Sequence, residues 1–139
     1  MIALDTNIIL HYLVSSQPDH LRAKKFFDEN KEPLATTSTN IAETIRLLTH
    51  PRVFPKPLNL ASAVDYIISF IDAKNIAILE TPQSWWLDLK PLLVHNPSLK
   101  GNEIFDAKMA LCLKYNGIKK ICTLDADFAK YPFLSIVRI

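Results

Sequence analysis

Glycine and cysteine are scarce in this sequence, with two residues of each among 139. Two glycines are too few to build the glycine-rich loops that cradle phosphates in nucleotide-binding proteins, so that class of site is excluded. Cys112 and Cys122 form no CxxC motif and are too few for a disulfide framework, so we expect two buried thiols in a reducing compartment. The absence of an HExxH motif and of zinc-type Cys/His spacing argues against a zinc site.

Long apolar runs are also lacking. No uncharged stretch approaches the roughly 18 residues that a membrane-spanning helix needs. No basic region precedes the apolar start of the chain, as it would in a signal peptide. We therefore expect a cytoplasmic protein without a membrane anchor.

The overall charge gives little support for nucleic-acid binding. The 16 Lys and Arg residues against 14 Asp and Glu residues leave a net charge of +2, too small for bulk attraction to a phosphate backbone. The hydrophobic content of 49% and the charged content of 22% are typical of globular domains and exclude intrinsic disorder. A chain of this length is the size of one domain, so we predict a single domain over residues 1–139.

Apolar runs typical of buried strands alternate along the chain with segments of helical periodicity. This alternation predicts an α/β fold with a mostly parallel sheet. Prolines between residues 50 and 60 forbid a regular helix there, so that stretch is predicted to be a loop. The predicted strands span residues 2–4, 34–37, 76–79, 120–124 and 135–138, and the predicted helices span 8–14, 19–30, 40–49, 60–73, 81–95 (kinked or split at Pro91) and 102–116.

Acidic residues follow the predicted strands. Asp5 comes directly after the first strand and Asp125 after the fourth, while Glu43 lies in the first turn of the helix after the second strand. Asp106 lies near the start of the helix that leads into the fourth strand. In an open parallel sheet, all four positions fall at the same edge, where ligands of α/β proteins bind.

Each acid also has a structural explanation. Asp5 could cap the following helix, and Glu43 stands three residues after Asn40, which is the spacing of a capping box. Asp106 would complement a helix dipole, and Asp125 could be an ordinary turn residue. For any one of these acids taken alone, the structural explanation is the more common one.

Four carboxylates at one edge, however, would repel one another. Two unit charges roughly 4 Å apart repel by about 4 kcal/mol at an effective dielectric constant near 20, so a shared site requires cations. Ligands that are all oxygen favour a hard ion such as Mg²⁺ or Mn²⁺. Such an ion at a strand edge suits phosphoryl chemistry, because it activates water and neutralises the phosphate.

Four sequence blocks, in order, resemble the successive motifs of PIN-domain ribonucleases, and they are most similar to those of the VapC toxins of bacterial and archaeal toxin–antitoxin systems. One block alone would be a weak signal, because an acid after a strand is common. Four in order, over essentially the whole chain, form a specific pattern. The blocks are MIALDTN at residues 1–7, TNIAE at 39–43, IFDA at 104–107 and TLDADF at 123–128.

The resemblance implies a three-layer α/β/α sandwich with an acidic active site that uses Mg²⁺, for which Mn²⁺ is a plausible substitute. Asp5 and Asp106 match the main metal ligands of the family. Glu43 matches its third acid and Asp125 its fourth. Asp127 either assists through a water molecule or exchanges roles with Asp125.

The resemblance also bears on positions beside the acids. Asn7 matches a polar position that usually supports Asp5 in the family, and Thr123 has a similar auxiliary place. Arg46 and Lys108 follow two of the acids by three and two residues on the same predicted helices, which favours them as contacts to the RNA backbone. Lys108 departs from the family pattern, since many relatives carry His there.

The activity implied by the resemblance is hydrolysis of an RNA phosphodiester bond. The metal would lower the pKa of its bound water, a neighbouring carboxylate would accept the proton, and the resulting hydroxide would attack phosphorus in line. The resemblance also implies a small antitoxin protein as partner and a homodimer, with both contacts on the first two helices. A plain core explains the apolar residues of those helices equally well; they are Ile8, Ile9, Tyr12, Leu13, Phe26 and Phe27.

A non-catalytic acidic α/β module is the alternative function. A receiver-like signalling domain needs an acceptor Asp after its third strand, where this sequence has Glu80, and a Lys after its fifth, where it has Arg138. A degenerate PIN scaffold would have lost one of the four acids, and all four are present. Both observations favour the enzyme.

Overall fold

The computed structural model describes all residues from 1 to 139, as five strands, six α-helices and two 3₁₀ helices. The strands are β1 (Ile2–Leu4), β2 (Leu34–Thr37), β3 (Ala77–Leu79), β4 (Lys120–Cys122) and β5 (Ser135–Val137). The α-helices are α1 (Thr6–Leu13), α2 (His20–Glu29), α3 (Ser38–Leu48), α4 (Leu60–Lys74), α5 (Leu89–Leu92) and α6 (Glu103–Tyr115). None of these helices is both long enough and apolar enough to cross a bilayer.

The five strands form one sheet in the order β3-β2-β1-β4-β5, and every neighbouring pair is parallel. The predicted α/β fold is confirmed, with a sheet that is parallel throughout. The chain passes from β1 to β2 on one side and returns to β4 on the other side of β1. The carboxyl ends of β1 and β4 therefore form the topological switch point, where open α/β sheets bind their ligands.

Helices cover both faces of the sheet, which confirms the three-layer sandwich. Successive side chains of a strand point to opposite faces, so Ile2 and Leu4 pack with α1 to α4, whereas Ala3 packs with α6. Each face has its own core of 13 buried residues. β1 therefore contributes to both cores from the centre of the sheet.

Most of the apolar residues of the first two helices lie in the core. Ile8, Leu13 and Phe27 are buried, and the Tyr12 ring packs on that of Phe27 with a centroid distance of 4.4 Å. Phe70 of α4 lies on the other side, 5.6 Å from the Phe27 centroid. A plain core therefore accounts for the buried members of this set.

The predicted helix over residues 81–95 is wrong. The stretch holds a 3₁₀ helix over Trp85–Asp88 followed by the four-residue α5. Pro91 is the physical reason, because proline has no N–H to donate and its ring clashes with the carbonyl group four residues earlier. The other predicted strands and helices agree with the structure to within two residues at each end, and residues 50–59 contain no helix or strand, as their prolines predict.

Replacing Leu4 by Ala should lower the free energy of unfolding by about 2–5 kcal/mol, because the substitution leaves a cavity in the packed core. Leu4 is fully buried, whereas Leu21 of α2 is 79% exposed. Leu21→Ala is therefore the control and should change the free energy of unfolding by less than about 0.5 kcal/mol. Urea unfolding followed by tryptophan fluorescence measures both variants, and equal stabilities would contradict the central position of β1.

Candidate active site

Four acidic side chains lie around the switch point between β1 and β4. Asp5 directly follows β1, and Asp125 lies three residues after β4. Asp106 lies in the first turn of α6. Glu43 lies one turn further into its helix than predicted, because α3 begins at Ser38. The elements that carry the four acids thus converge on one edge of the sheet.

The Asp5 carboxylate is held by four hydrogen bonds. Its Oδ1 accepts from the backbone N–H of Thr6 at 2.7 Å and from Nδ2 of Asn40 at 3.3 Å. Its Oδ2 accepts from Nδ2 of Asn7 at 2.7 Å and from the Thr123 hydroxyl at 2.6 Å. Asp5 therefore caps α1, as its structural explanation predicts, and it also joins α1 to β4 and α3.

Burial raises the pKa of Asp5 above its ordinary value. Hydrogen bonds from Thr123 and from the Thr6 backbone stabilise the ionised form and offset part of this effect. The negative charges of Glu43 and Asp125 raise the pKa further. The four bonds therefore do not fully compensate the carboxylate for its loss of water and for the acids beside it.

Glu43 is held from two sides. The Thr6 hydroxyl donates to its Oε2 at 2.7 Å, and Nη2 of Arg46 lies 3.6 Å from its Oε1. The capping-box explanation is wrong, because Thr37 rather than Asn40 caps α3, with its hydroxyl accepting from the Asn40 N–H at 3.1 Å. Capping of α3 therefore does not explain the position of Glu43.

The pKa of Asp106 is also raised, to about 6. Burial is the main cause, and the charges of Asp125 and Asp5 add to it. Lys130 acts in the opposite direction, while Asp127 raises the pKa slightly more. The Asp106 carboxylate accepts no hydrogen bond and forms no ion pair, so both its oxygens are available to a ligand.

Asp125 and Asp127 lie in the turn after β4. The Asp125 carboxylate accepts from the backbone N–H of Asp127 at 2.7 Å and so caps the 3₁₀ helix over Ala126–Lys130. The charge of Asp125 raises the pKa of both Asp5 and Asp106, whereas that of Asp127 acts on Asp106 alone and more weakly. These effects favour Asp125 as the fourth acid of the cluster.

The auxiliary residues Asn7 and Thr123 both contact Asp5, and they also contact each other at 3.2 Å. Thr123 is fully buried, and its hydroxyl accepts from the backbone N–H of Asp125 at 2.9 Å. The Thr123 hydroxyl donates its one proton to Asp5. It accepts the bonds from Asn7 and from the Asp125 N–H, which use both of its lone pairs. The pair thus fixes the position of Asp5 relative to the turn that carries Asp125.

A groove opens beside Glu43 and Asp106, between α3 and the start of α6, with a volume of about 570 Å³. We call it the rim groove, and its lining residues are Thr39, Ala42, Glu43, Arg46, Asn102, Phe105 and Asp106. Arg46 thus lies where a contact to RNA was predicted. Lys108 does not line this groove, and its ammonium lies 5.4 Å from the centroid of the Trp85 ring.

Sequence reasoning missed two residues that connect the site. Asn40 donates to Asp5 and also, at 3.0 Å, to the Thr6 hydroxyl. Thr6 in turn donates to Glu43, so a continuous chain of hydrogen bonds runs between two of the acids. The only signal available in the sequence was the place of both residues inside the blocks that carry the acids.

The donor set fits a hard divalent cation by its chemistry. No three acidic, histidine or cysteine side chains approach closely enough in this arrangement to ligate one ion together. The available ligand atoms are all carboxylate oxygens, which Mg²⁺ and Mn²⁺ prefer. The raised pKa values of Asp5 and Asp106 mark negative charge that a bound cation would compensate.

Comparison with known proteins gives consistent matches over the whole fold. A sequence model described as the PIN domain matches residues 2–134. The chain is similar to Ribonuclease VapC24 of Mycobacterium tuberculosis, with 27% identity over 140 residues that cover 96% of this chain and 92% of that protein.

Solved structures share the architecture at lower identity. VapC20 of Mycobacterium tuberculosis, described as a Sarcin-Ricin loop cleaving toxin, superposes with a TM-score of 0.71 and 18% identity over 93% of each chain. VapBC2 of Rickettsia felis, solved with a DNA fragment from its promoter, superposes with a TM-score of 0.65 and 17% identity over 99% of this chain and 98% of the other. These likenesses establish the fold.

Replacing Asp106 by Asn should stabilise the protein at neutral pH and have almost no effect near pH 4. The pKa of Asp106 is about 6 in the folded state, against 3.8 for an unperturbed Asp. The folded wild type therefore binds the extra proton at low pH and loses stability as the pH rises from about 4 to about 6. With allowance for solvent screening of a half-buried group, the variant should gain about 1 kcal/mol above that range.

Urea unfolding at about pH 4 and about pH 7.5 measures this difference. Asp65→Asn is the matched control, because Asp65 is exposed on α4, away from the site, and forms no ion pair. It should change the free energy of unfolding by less than about 0.5 kcal/mol. An Asp106→Asn variant with the same advantage at both pH values would show that repulsion at the site is not its cause.

Proposed function

The chain belongs to the PIN-domain family, and from that premise we propose that it is a divalent-metal-dependent endoribonuclease and the toxin of a toxin–antitoxin pair. The family resemblance predicted from the four sequence blocks is confirmed. The observation that carries the proposal is the convergence of four acids on the switch point of the sheet, two of them with raised pKa values. We treat residues 1–139 as a single nuclease domain.

RNA is the proposed substrate. Similarity to a protein named a ribonuclease, over 96% of this chain, supports this assignment. The site supports it chemically, because carboxylates that bind a divalent cation are suited to phosphodiester hydrolysis. None of the four histidines contributes to the acidic site, so the proton transfers fall to the acids.

We assign the metal-binding and catalytic roles to Asp5, Glu43, Asp106 and Asp125, with Mg²⁺ as the ion and Mn²⁺ as its substitute. When bound, the cation would supply positive charge beside the phosphate and lower the pKa of water. Asp5 offers a fixed carboxylate, because its hydrogen bonds hold it in place. Asp106 offers a carboxylate with no competing donors.

Auxiliary roles go to residues that touch these acids. Asn7 and Thr123 orient Asp5 through their hydrogen bonds. Asp127 donates its backbone N–H to the Asp125 carboxylate and contributes negative charge near Asp106. Arg46 is suited to contact an RNA phosphate from the rim groove, whereas Lys108 would first have to leave the Trp85 ring.

A small antitoxin is the proposed partner. The fold similarity to VapBC2, an assembly solved with promoter DNA, supports a partner protein for this chain. A homodimer remains part of the proposal, and size-exclusion chromatography with light scattering tests it. The first two helices, where the resemblance places both contacts, still expose Leu21 at 79%, so they keep apolar surface for a partner.

The alternative of a non-catalytic acidic module has two forms, a receiver-like domain and a degenerate PIN scaffold, and the strand order argues against the first. Receiver domains have the strand order 2-1-3-4-5, whereas this sheet has the order 3-2-1-4-5. A receiver-like domain therefore does not fit the fold. A degenerate scaffold with the PIN fold is the form that the following experiment must distinguish from a nuclease.

Millimolar Mg²⁺ or Mn²⁺ should raise the melting temperature of the wild type, since a ligand that binds only the folded state stabilises it by about 1.4 kcal/mol at roughly ten times its Kd. Asp106→Asn should lose this response. The variant should also cleave RNA on the order of 10³-fold more slowly, because it removes charge stabilisation at the reacting phosphate. Differential scanning fluorimetry and single-turnover cleavage measure the two effects.

Asp65→Asn serves again as the control and should keep both the metal response and the cleavage rate. A wild type that shows neither a metal response nor metal-dependent cleavage would identify the chain as a non-catalytic scaffold. Cleavage that survives unchanged in Asp106→Asn would remove Asp106 from the proposed site.

A further inference from the structure

Phe105 stands out among the aromatic residues of the protein. It is the only one of the seven phenylalanines that is exposed, at 64% of its surface. It precedes Asp106 in the first turn of α6 and lines the rim groove. Other large apolar side chains are exposed on this protein too, and what distinguishes Phe105 is its place beside the acidic site.

Five of the seven residues that line the rim groove are polar or charged, and the two uncharged ones among them form no side-chain hydrogen bond. Neither the Thr39 hydroxyl nor the Asn102 amide forms a side-chain hydrogen bond; the Asn102 amide does not even cap α6. Arg46 adds a cation that only Glu43 pairs with, at 3.6 Å. The groove thus combines one aromatic face, free donors and acceptors, and one weakly paired guanidinium group.

We propose that the rim groove binds the base of an unpaired nucleotide beside the scissile phosphate, stacked on Phe105. Stacking on aromatic side chains is how proteins hold the splayed bases of single-stranded RNA. Thr39 and Asn102 would bond to the edge of the base, and Arg46 to the adjoining phosphate. Phe105 is then a specificity-determining residue of the ribonuclease proposed above, on which this inference rests.

The place of the groove favours a nucleotide, and its size is compatible with one. Its volume of about 570 Å³ lies within the range of about 300–1,000 Å³ usual for small-ligand sites. The groove shares Glu43 and Asp106 with the acidic site. An RNA strand whose phosphate lay among the acids would place a neighbouring nucleotide within reach of Phe105.

A second groove provides the contrast. It lies along Trp86, Leu93 and Ile104, it is lined by apolar side chains and a single lysine, and it contains none of the four acids. Trp86 is 59% exposed there. If exposure alone determined where a base stacks, Trp86 would be as suitable as Phe105. Trp86→Leu is therefore the matched control for Phe105→Leu.

Single-turnover cleavage of a short single-stranded RNA tests the proposal. Phe105→Leu should lower the cleavage efficiency by about 10-fold to about 100-fold, the range expected for loss of one base–aromatic stack. Phe105→Trp should stay within about 3-fold of the wild type, because it restores an aromatic face. Trp86→Leu should cleave as the wild type does, and a Phe105→Leu variant that also cleaves as the wild type does would overturn the proposal.

Substrates that lack one base at a time locate the stacked nucleotide. An abasic site at one position next to the cleaved bond should slow the wild type by the same factor as Phe105→Leu. The same abasic site should cause no further loss in Phe105→Leu, because both changes remove one contact and so are not additive. If the abasic site slows Phe105→Leu by as large a factor as it slows the wild type, at every position, then no base stacks on Phe105.

A measurement of RNA binding distinguishes the failure of this inference from the failure of the proposed activity. Fluorescence anisotropy of a labelled RNA is measured with Asp106→Asn and with the double variant Asp106→Asn/Phe105→Leu. Weaker binding by the double variant supports the groove even if the wild type proves unable to cleave, whereas equal binding overturns it even if cleavage is found. If Phe105→Leu changes only inhibition by a partner protein, the groove is a protein contact and the nucleotide assignment fails.

Discussion

The buried carboxylate of Asp5 is the group on which the arrangement of the switch point depends. A carboxylate removed from water is tolerated only when hydrogen-bond donors replace the solvent. Asn7 supplies one donor from α1, Thr123 one from the end of β4 and Asn40 one from α3. These donors belong to elements that are far apart along the chain. One side chain therefore fixes how three elements meet.

Asp106 presents the opposite case. It has no donor, and its pKa of about 6 reflects burial and like charges that nothing in the protein compensates fully. Proteins retain such unfavourable groups where activity requires them and accept the loss of stability. One acid of the site is thus held at a fixed position and another is left free, an arrangement that would offer the proposed cation one preset contact and one adaptable contact.

The sequence predicts the edge at which the acids meet because that edge follows from local rules. An apolar run followed at once by an acid marks the end of a buried strand, and parallel strands end together. The link between Asn40 and Asp5 joins residues 35 positions apart, which no local rule reaches. The cap of α3 was missed for a different reason, since the segment TTSTN offers several residues of capping chemistry and only the true helix start selects Thr37. The interruption of the predicted helix over residues 81–95 follows from a local rule as well, because proline has no N–H to donate.

Structural and chemical roles overlap at this site. An acid that already has a structural role is weaker evidence for chemistry than an acid that has none. Asp5 caps α1 and Asp125 caps the 3₁₀ helix after β4, so backbone bonding alone would explain either residue. Glu43 and Asp106 accept no backbone N–H, and Asp106 is placed against its own electrostatic preference. Both also line the rim groove, where a substrate would approach. The argument for chemistry at the switch point is therefore strongest for the two acids that the fold itself requires least.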